Sequence, residues 1–154
     1  MRRWRLWVDS RARDDGSASL EFITVGMILL VPLVYLVLTL AQLQAGAFAV
    51  ESAARQAARV FVQSPNLSAA SGSSQRAVQF ALADYGIDSS TGTVSISCKP
   101  IASNCLTRQG FVTITVTTRV TLPLVPPILN LNVPLSVPLS ATATQQVSRF
   151  WGSP

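Results

Sequence analysis

No charged residue occurs between Phe22 and Val50, a run of 29 residues. As one α-helix at 1.5 Å per residue, such a run is about 43 Å long, and about 20 apolar residues already cross a bilayer. Helices on the surface of soluble domains carry a polar face, and this run has none that is charged. The segment therefore reads as a transmembrane helix with length to spare, taken up by tilt or by emergence on one side. Gly26 and Pro32 fall inside it, and a membrane helix tolerates both, often with a kink. A single acid, Glu21, stands at the mouth of the run. Placing a carboxylate at the edge of a bilayer is costly, and a plain anchor gains nothing from it.

The charge distribution gives the orientation. The net charge is +5, and five of the twelve basic residues (Arg2, Arg3, Arg5, Arg11 and Arg13) precede the apolar run. Only Arg55 and Arg59 follow it closely. Cationic flanks stay in the cytoplasm, so the N-terminus is expected there and the C-terminal part outside the cell membrane. The remaining basic residues are scattered singly along the chain. They form no phosphate-tracking patch, and no nucleic-acid partner is expected.

Two other export signals compete with a retained span. Ala45-Gly46-Ala47 fits a small-x-small signal-peptidase site, with a cut before Phe48 that would release a secreted domain. A secretory apolar core has about 7–15 residues, and this one is longer before Ala45 is reached. The leader also carries Asp9, Asp14 and Asp15, which an ordinary signal leader avoids. Arg2-Arg3 lacks the rest of a twin-arginine motif, and no cysteine near the run could carry a lipoprotein anchor.

Helical character continues past Val50. Ala41, Ala45, Ala49, Ala53 and Ala57 recur every four residues, and Glu51, Arg55 and Arg59 form a second row at the same spacing. One helix is expected from about Leu20 to Gln63. Two readings of the alanine row stand: a stripe of small residues that lets another helix approach closely, or the plain preference of helices for alanine. Ser64-Pro65-Asn66 stops the helix. Residues 68–74, rich in serine and alanine with one glycine, read as a flexible linker. Val78, Ala81, Leu82 and Tyr85 give helical spacing over 75–85, and Gly86 ends that short helix.

The period then changes to two. Val94, Ile96 and Cys98 alternate with Thr93, Ser95 and Ser97; Val112, Ile114, Val116, Val120 and Leu122 alternate with polar residues; Leu131, Val133, Leu135, Val137 and Leu139 do the same. These are expected to be three half-buried antiparallel strands. Pro134 and Pro138 on one face make the third an edge strand, and Pro123, Pro126 and Pro127 mark the turn before it. The fold class is α+β: a long N-terminal helix, transmembrane in its first half, then a short helix and about three strands. The expected organisation is a cytoplasmic leader (1–16), the helix with its extracytoplasmic extension (17–63) and a small extracytoplasmic domain (64–154).

Cys98 and Cys105 flank six residues between the first two strands. In an exported domain, two cysteines so spaced are expected to form a disulfide that closes the hairpin loop. The chain has no histidine and only these two cysteines, too few ligands for a zinc site. Outside the leader the acids are Glu21, Glu51, Asp84 and Asp88. Asp84 and Asp88 flank a helix end and read as solvated caps. No nucleophile–base set and no glycine-rich phosphate loop can be assembled. No enzymatic activity, metal, cofactor or small-molecule substrate is expected.

The leader ending in Gly16, the block Ser17-Ala18-Ser19-Leu20-Glu21-Phe22, the single span and the continuation Glu51–Arg59 together resemble the TadE-like pseudopilins of Tad (Flp-type) pilus systems. The block Leu122–Pro127 and the stretch Ser140–Thr144 are loosely similar to the C-terminal part of that family. Ser17 departs from the pattern, since a hydrophobic or aromatic residue is usual after the cut. The resemblance implies a bacterial cell-membrane protein cut by a prepilin peptidase between Gly16 and Ser17. It also implies a structural role beside other pilin-like subunits and Tad membrane components. Gly16 would let the peptidase approach the backbone closely. The new Ser17 ammonium of a neighbouring subunit would neutralise Glu21 and fix axial register, a role in assembly. The alternative for Glu21 is solvation by headgroups at the interface. For the whole chain, the alternatives are an anchored envelope protein with an unrelated binding role, or the secreted domain released at Ala47.

Overall fold

The computed structural model describes residues 17–121 and 136–152. Their elements follow in the order α1 (Ser17–Gln63), α2 (Leu67–Ala83), a 3-10 turn (Ser89–Thr91), β1 (Thr93–Lys99), β2 (Phe111–Thr121) and β3 (Ser136–Gln146). This is the α+β arrangement expected from the sequence. By its internal contacts the chain divides into two compact units, residues 1–39 and 40–154.

In the first unit the described residues are the opening turns of α1. They are apolar on all sides, with a mean hydropathy of 2.5 over the most apolar 18-residue window and none of that window buried. Leu20, Phe22, Met27, Ile28 and Leu33 are all more than half exposed. α1 is thus long and apolar enough to cross a membrane. Thr24 and Thr39 return their hydroxyls to the carbonyls of Leu20 and Tyr35, one turn back. Such bonds satisfy a hydroxyl without water. Pro32 lies inside the helix, which continues as one element on either side of it.

The second unit is built on the later turns of α1. Ala49, Ala53 and Ala57 are fully buried, as are Ala54, Ala58 and Phe61 close by. They join one hydrophobic core with Ala70, Val78 and Leu82 of α2 and Val112, Ile114 and Val116 of β2. Full burial of a side chain such as Ile114 or Phe61 stabilises by roughly 1.5–3 kcal/mol. The opposite face of the helix carries Glu51, Arg55 and Arg59, all exposed, with an ion pair between Glu51 and Arg55. Higher on the same helix, Gly46 is buried. A Cβ added there would lie 2.7 Å from Leu139 Cδ1 and 2.7 Å from Val120 Cγ2, so the ends of β2 and β3 press on the bare backbone.

The expected linker at 68–74 is helical, because α2 already begins at Leu67. Asn66 caps it, its side chain accepting the Ala69 N–H at 2.8 Å. The serines turn inward along the helix: Ser71 Oγ donates to Leu67 O and Ser74 Oγ to Ala70 O. Ser74 is buried and also reaches Ala57 O of α1 at 3.3 Å. The small residues that imitate a flexible linker are there to let two helices come close. The end of the helix lies at Ala83, followed by Gly86 at φ 68°, a left-handed turn position that glycine adopts freely.

The sheet has strand order β1-β2-β3 and is antiparallel throughout. β1 and β2 occupy the residues expected, except that Leu122 of the second lies outside the described residues. On β2, Val112, Ile114, Val116, Thr118 and Val120 are buried, and Thr118 spends its hydroxyl on Thr91 at 2.8 Å. Among the described residues the third strand is an edge strand, as expected, but it lies further along the chain. It runs Ser136–Gln146, seven residues past the expected end at Leu139. Residues 131–135 of the expected strand, with Pro134, and the turn prolines Pro123, Pro126 and Pro127, lie outside the described residues. Pro138 sits within β3, exposed, opposite Arg119. Beyond it, Thr142 and Thr144 pair hydroxyls with Thr115 and Thr113, each at 2.9 Å. These polar cross-strand pairs hold a strand whose apolar signal is weak.

The chain after β3 is tied back to the helices. Val147 is buried and bonds through its N–H to Gly110 O at 2.8 Å, and Trp151 Nε1 donates to Ser64 O at 3.0 Å, just past the end of α1. Replacing Gly46 with valine should destabilise the second unit by about 1–3 kcal/mol through overpacking against Val120 and Leu139. Urea unfolding of the detergent-solubilised chain, followed by Trp fluorescence, measures that loss. An unchanged midpoint would contradict the packing of Gly46 under the sheet.

Candidate functional site

The residues singled out in the sequence fall in three places. Gly16, on the leader side of the expected cut, lies outside the described residues. Ser17 is the first residue of α1, and Glu21 follows one turn later. Glu21 is exposed, with Leu20 at 69% and Phe22 at 80% exposure on either side. An acid flanked by fully presented apolar side chains is open to a partner from outside. Among the described residues of the chain it forms no ion pair.

The alanine row divides. Ala49, Ala53 and Ala57 are spent within the second unit, where they bring α1 against the chain's own core. The close approach that a small-residue stripe permits is made at these positions to α2, through Ser74 and Ala57. Ala45 is half-buried and Ala41 exposed, so Ala41 alone of the five presents an open surface.

Cys98 and Cys105 are joined in a disulfide, with Cα atoms 5.1 Å apart. The bond ties the end of β1 to the loop that leads into β2. Cys98 is buried and the adjacent Leu106 is 2% exposed, so the staple also clamps the rim of the core. No free cysteine occurs among the described residues.

The acids of the domain sit at the ends of elements. Asp84 takes the C-cap position of α2. Asp88 accepts the Ser90 N–H at 2.9 Å at the start of the 3-10 turn, and that bond holds its carboxyl below the usual aspartate range. Among the described residues no three His, Cys, Asp or Glu side chains gather as a metal site would need. A groove of about 180 Å³ lies between α2 and β1, lined by Ser71, Ser74, Gln75, Val78, Gln79, Val94 and Ile96 among others. None of its lining residues is titratable, so it can offer hydrogen bonds and apolar contact but no acid–base chemistry. The sequence held a signal for it in Ile96, an apolar residue on the core-facing side of β1 that is 38% exposed.

The arrangement supplies surfaces, a staple and one exposed acid. Reduction should affect it in a defined way. In the native protein, thiol labelling under denaturing, non-reducing conditions should find no reactive cysteine. Replacing both cysteines with serine should cost about 2–3 kcal/mol, the chain-entropy value for so short a loop. Two labelled thiols per chain would contradict the staple.

Comparison with protein-family models, with curated proteins and with solved structures gives no match.

Proposed function

We propose that this chain is a TadE-like pseudopilin, a minor structural subunit in assembly of a Tad-type pilus or a related secretion machine. The observation that carries the reading is the pairing of one exposed acid, Glu21, with the apolar, wholly exposed turns of α1 that follow it. On this reading the first part of α1 lies in the cell membrane, with the leader in the cytoplasm and residues 64–154 outside. Prepilin peptidase removes residues 1–16. The freed Ser17 ammonium of a neighbouring pilin-like subunit then pairs with Glu21, and Tad membrane components receive the assembled helices. Desolvation makes a lone carboxylate expensive in such a place and a paired one tolerable, so the pair also sets the axial register. The disulfide fits an oxidising compartment on the far side of the membrane.

Of the other readings, release at Ala47 is the less favoured. Ala47 lies between Gly46 and Ala49, both buried in the second unit. A cut before Phe48 would remove the glycine on which Val120 and Leu139 rest. A plain membrane anchor leaves Glu21 without a task.

Intact mass and N-terminal sequencing of the protein purified from its native membrane separate these readings. The expected start is Ser17. A start near Met1 means a plain anchor, and a start at Phe48 means secretion; either overturns the proposal. Gly16→Leu should block the cut by crowding the peptidase. Glu21→Ala should leave the cut intact and weaken co-purification with other pilin-like subunits, and normal assembly of that variant would remove the ion pair from the account.

A further inference from the structure

Among the described residues the sheet ends in two open edges. With strand order β1-β2-β3, the outer sides of β1 and β3 have no strand beside them among the described residues. Soluble sheets commonly guard such edges with charged side chains. Here β3 carries no charge at all, and β1 carries one, Lys99, at its last position. Pro138 guards the first part of β3 only; the stretch 140–146 has no proline and matches the seven residues of β1 in length.

The edges also complement one another. On β1, Val94 and Ile96 lie toward the core yet are incompletely covered, and they border the groove beneath α2. On β3 the residues of the corresponding face are Ala141 and Ala143. Their side chains are small enough for a groove of about 180 Å³. The outer faces match as well: β1 presents Thr93, Ser95 and Ser97, and β3 presents Ser140, Thr142 and Thr144. Both strands are antiparallel to β2, so they run in the same direction. A neighbour displaced sideways across the sheet would bring its β3 alongside β1 in parallel.

We infer that β1 accepts the β3 edge of a second copy of this chain, whose alanines enter the groove between β1 and α2. The contact joins two different surfaces, so it leaves a free β1 and a free β3 at its ends and can repeat into a row of copies. Backbone hydrogen bonds would supply the affinity, and the alternating alanines the fit. The inference rests on the second unit alone and is independent of how the N-terminus is processed.

Cysteine pairing in membranes tests it. Ser95→Cys full-length protein is co-expressed with full-length protein carrying Ser140→Cys, Thr142→Cys or Thr144→Cys, and the membranes are oxidised with copper phenanthroline. These positions lie on the outer face, away from the buried disulfide rim. The expected result is a dimer in at least one mixture, absent when each variant is expressed alone, and lost when Ile96→Lys is added to the Ser95→Cys chain. Absence of a dimer in all three mixtures would overturn the inference, since the edges would then be covered by something else. So would an equal dimer from a single variant, which would mean like edges pair. Retention of the disulfide and of the near-ultraviolet circular dichroism in Ile96→Lys distinguishes loss of the edge contact from loss of the fold; a dimer that survives in the folded variant would also overturn it.

Discussion

The packing of Ala49, Ala53 and Ala57 against the chain's own core is the interaction on which the rest depends. Three methyl groups at successive turns make one side of α1 nearly smooth. Two layers can then come close to it: α2, through Ser74 and Ala70, and the sheet, through the valines and isoleucine of β2. Larger side chains at those positions would hold the layers apart and leave the strands without a floor. A domain this small has no second core to fall back on. The other devices reinforce that contact. Gly46 lets Val120 and Leu139 close over the helix, the disulfide clamps the rim of the sheet, and Trp151 fastens the chain end to Ser64.

The same helix faces two different demands along its length. From Leu20 to Leu40 its side chains are exposed, with only Tyr35 and Thr39 half-buried, and none is buried among the described residues. From Gly46 onward it is one-sided, with alanines buried and Glu51, Arg55 and Arg59 exposed. The first pattern suits a medium that solvates hydrocarbon from every side; the second suits a helix with protein on one face and water on the other. Charge placement in the sequence records the change, for no charge occurs from Phe22 to Val50 and three occur in the next nine residues.

Much of this was legible because it rests on strong periodic signals. The end of α1 at Gln63, the strands at 93–99 and 111–121, and the cysteine pair all follow from spacing and from breakers such as Pro65. Two elements were obscured for physical reasons. The opening turns of α2 are made of serine, alanine and glycine, a composition shared by flexible linkers and tight helix contacts; only the cap at Asn66 and the position of Ala57 decide between them. In β3 the alternation of alanine with threonine and serine has little hydrophobic contrast, and the strand is defined by its pairing with β2. The more apolar, proline-broken stretch just before it drew the expected strand toward the N-terminus. At the candidate site, the exposure of Glu21 was implicit in its position, whereas the division of the alanine row was not. That division depends on which neighbour reaches the helix first.

The proposal turns on α1 changing surroundings along its length, from lipid to the chain's own core. Nitroxide labels placed singly from Thr24 to Val37 and from Phe48 to Arg59, in the full-length protein in its membrane, report that change directly. Their collision rates with oxygen and with a water-soluble nickel chelate are compared. Labels in the first set should meet oxygen at every angle around the helix and exclude the chelate. Labels in the second set should alternate with helical period, the chelate reaching positions 51, 55 and 59 but not 49, 53 and 57. Helical periodicity of chelate access within residues 24–37 would contradict the account, because that part of α1 would then have water on one side.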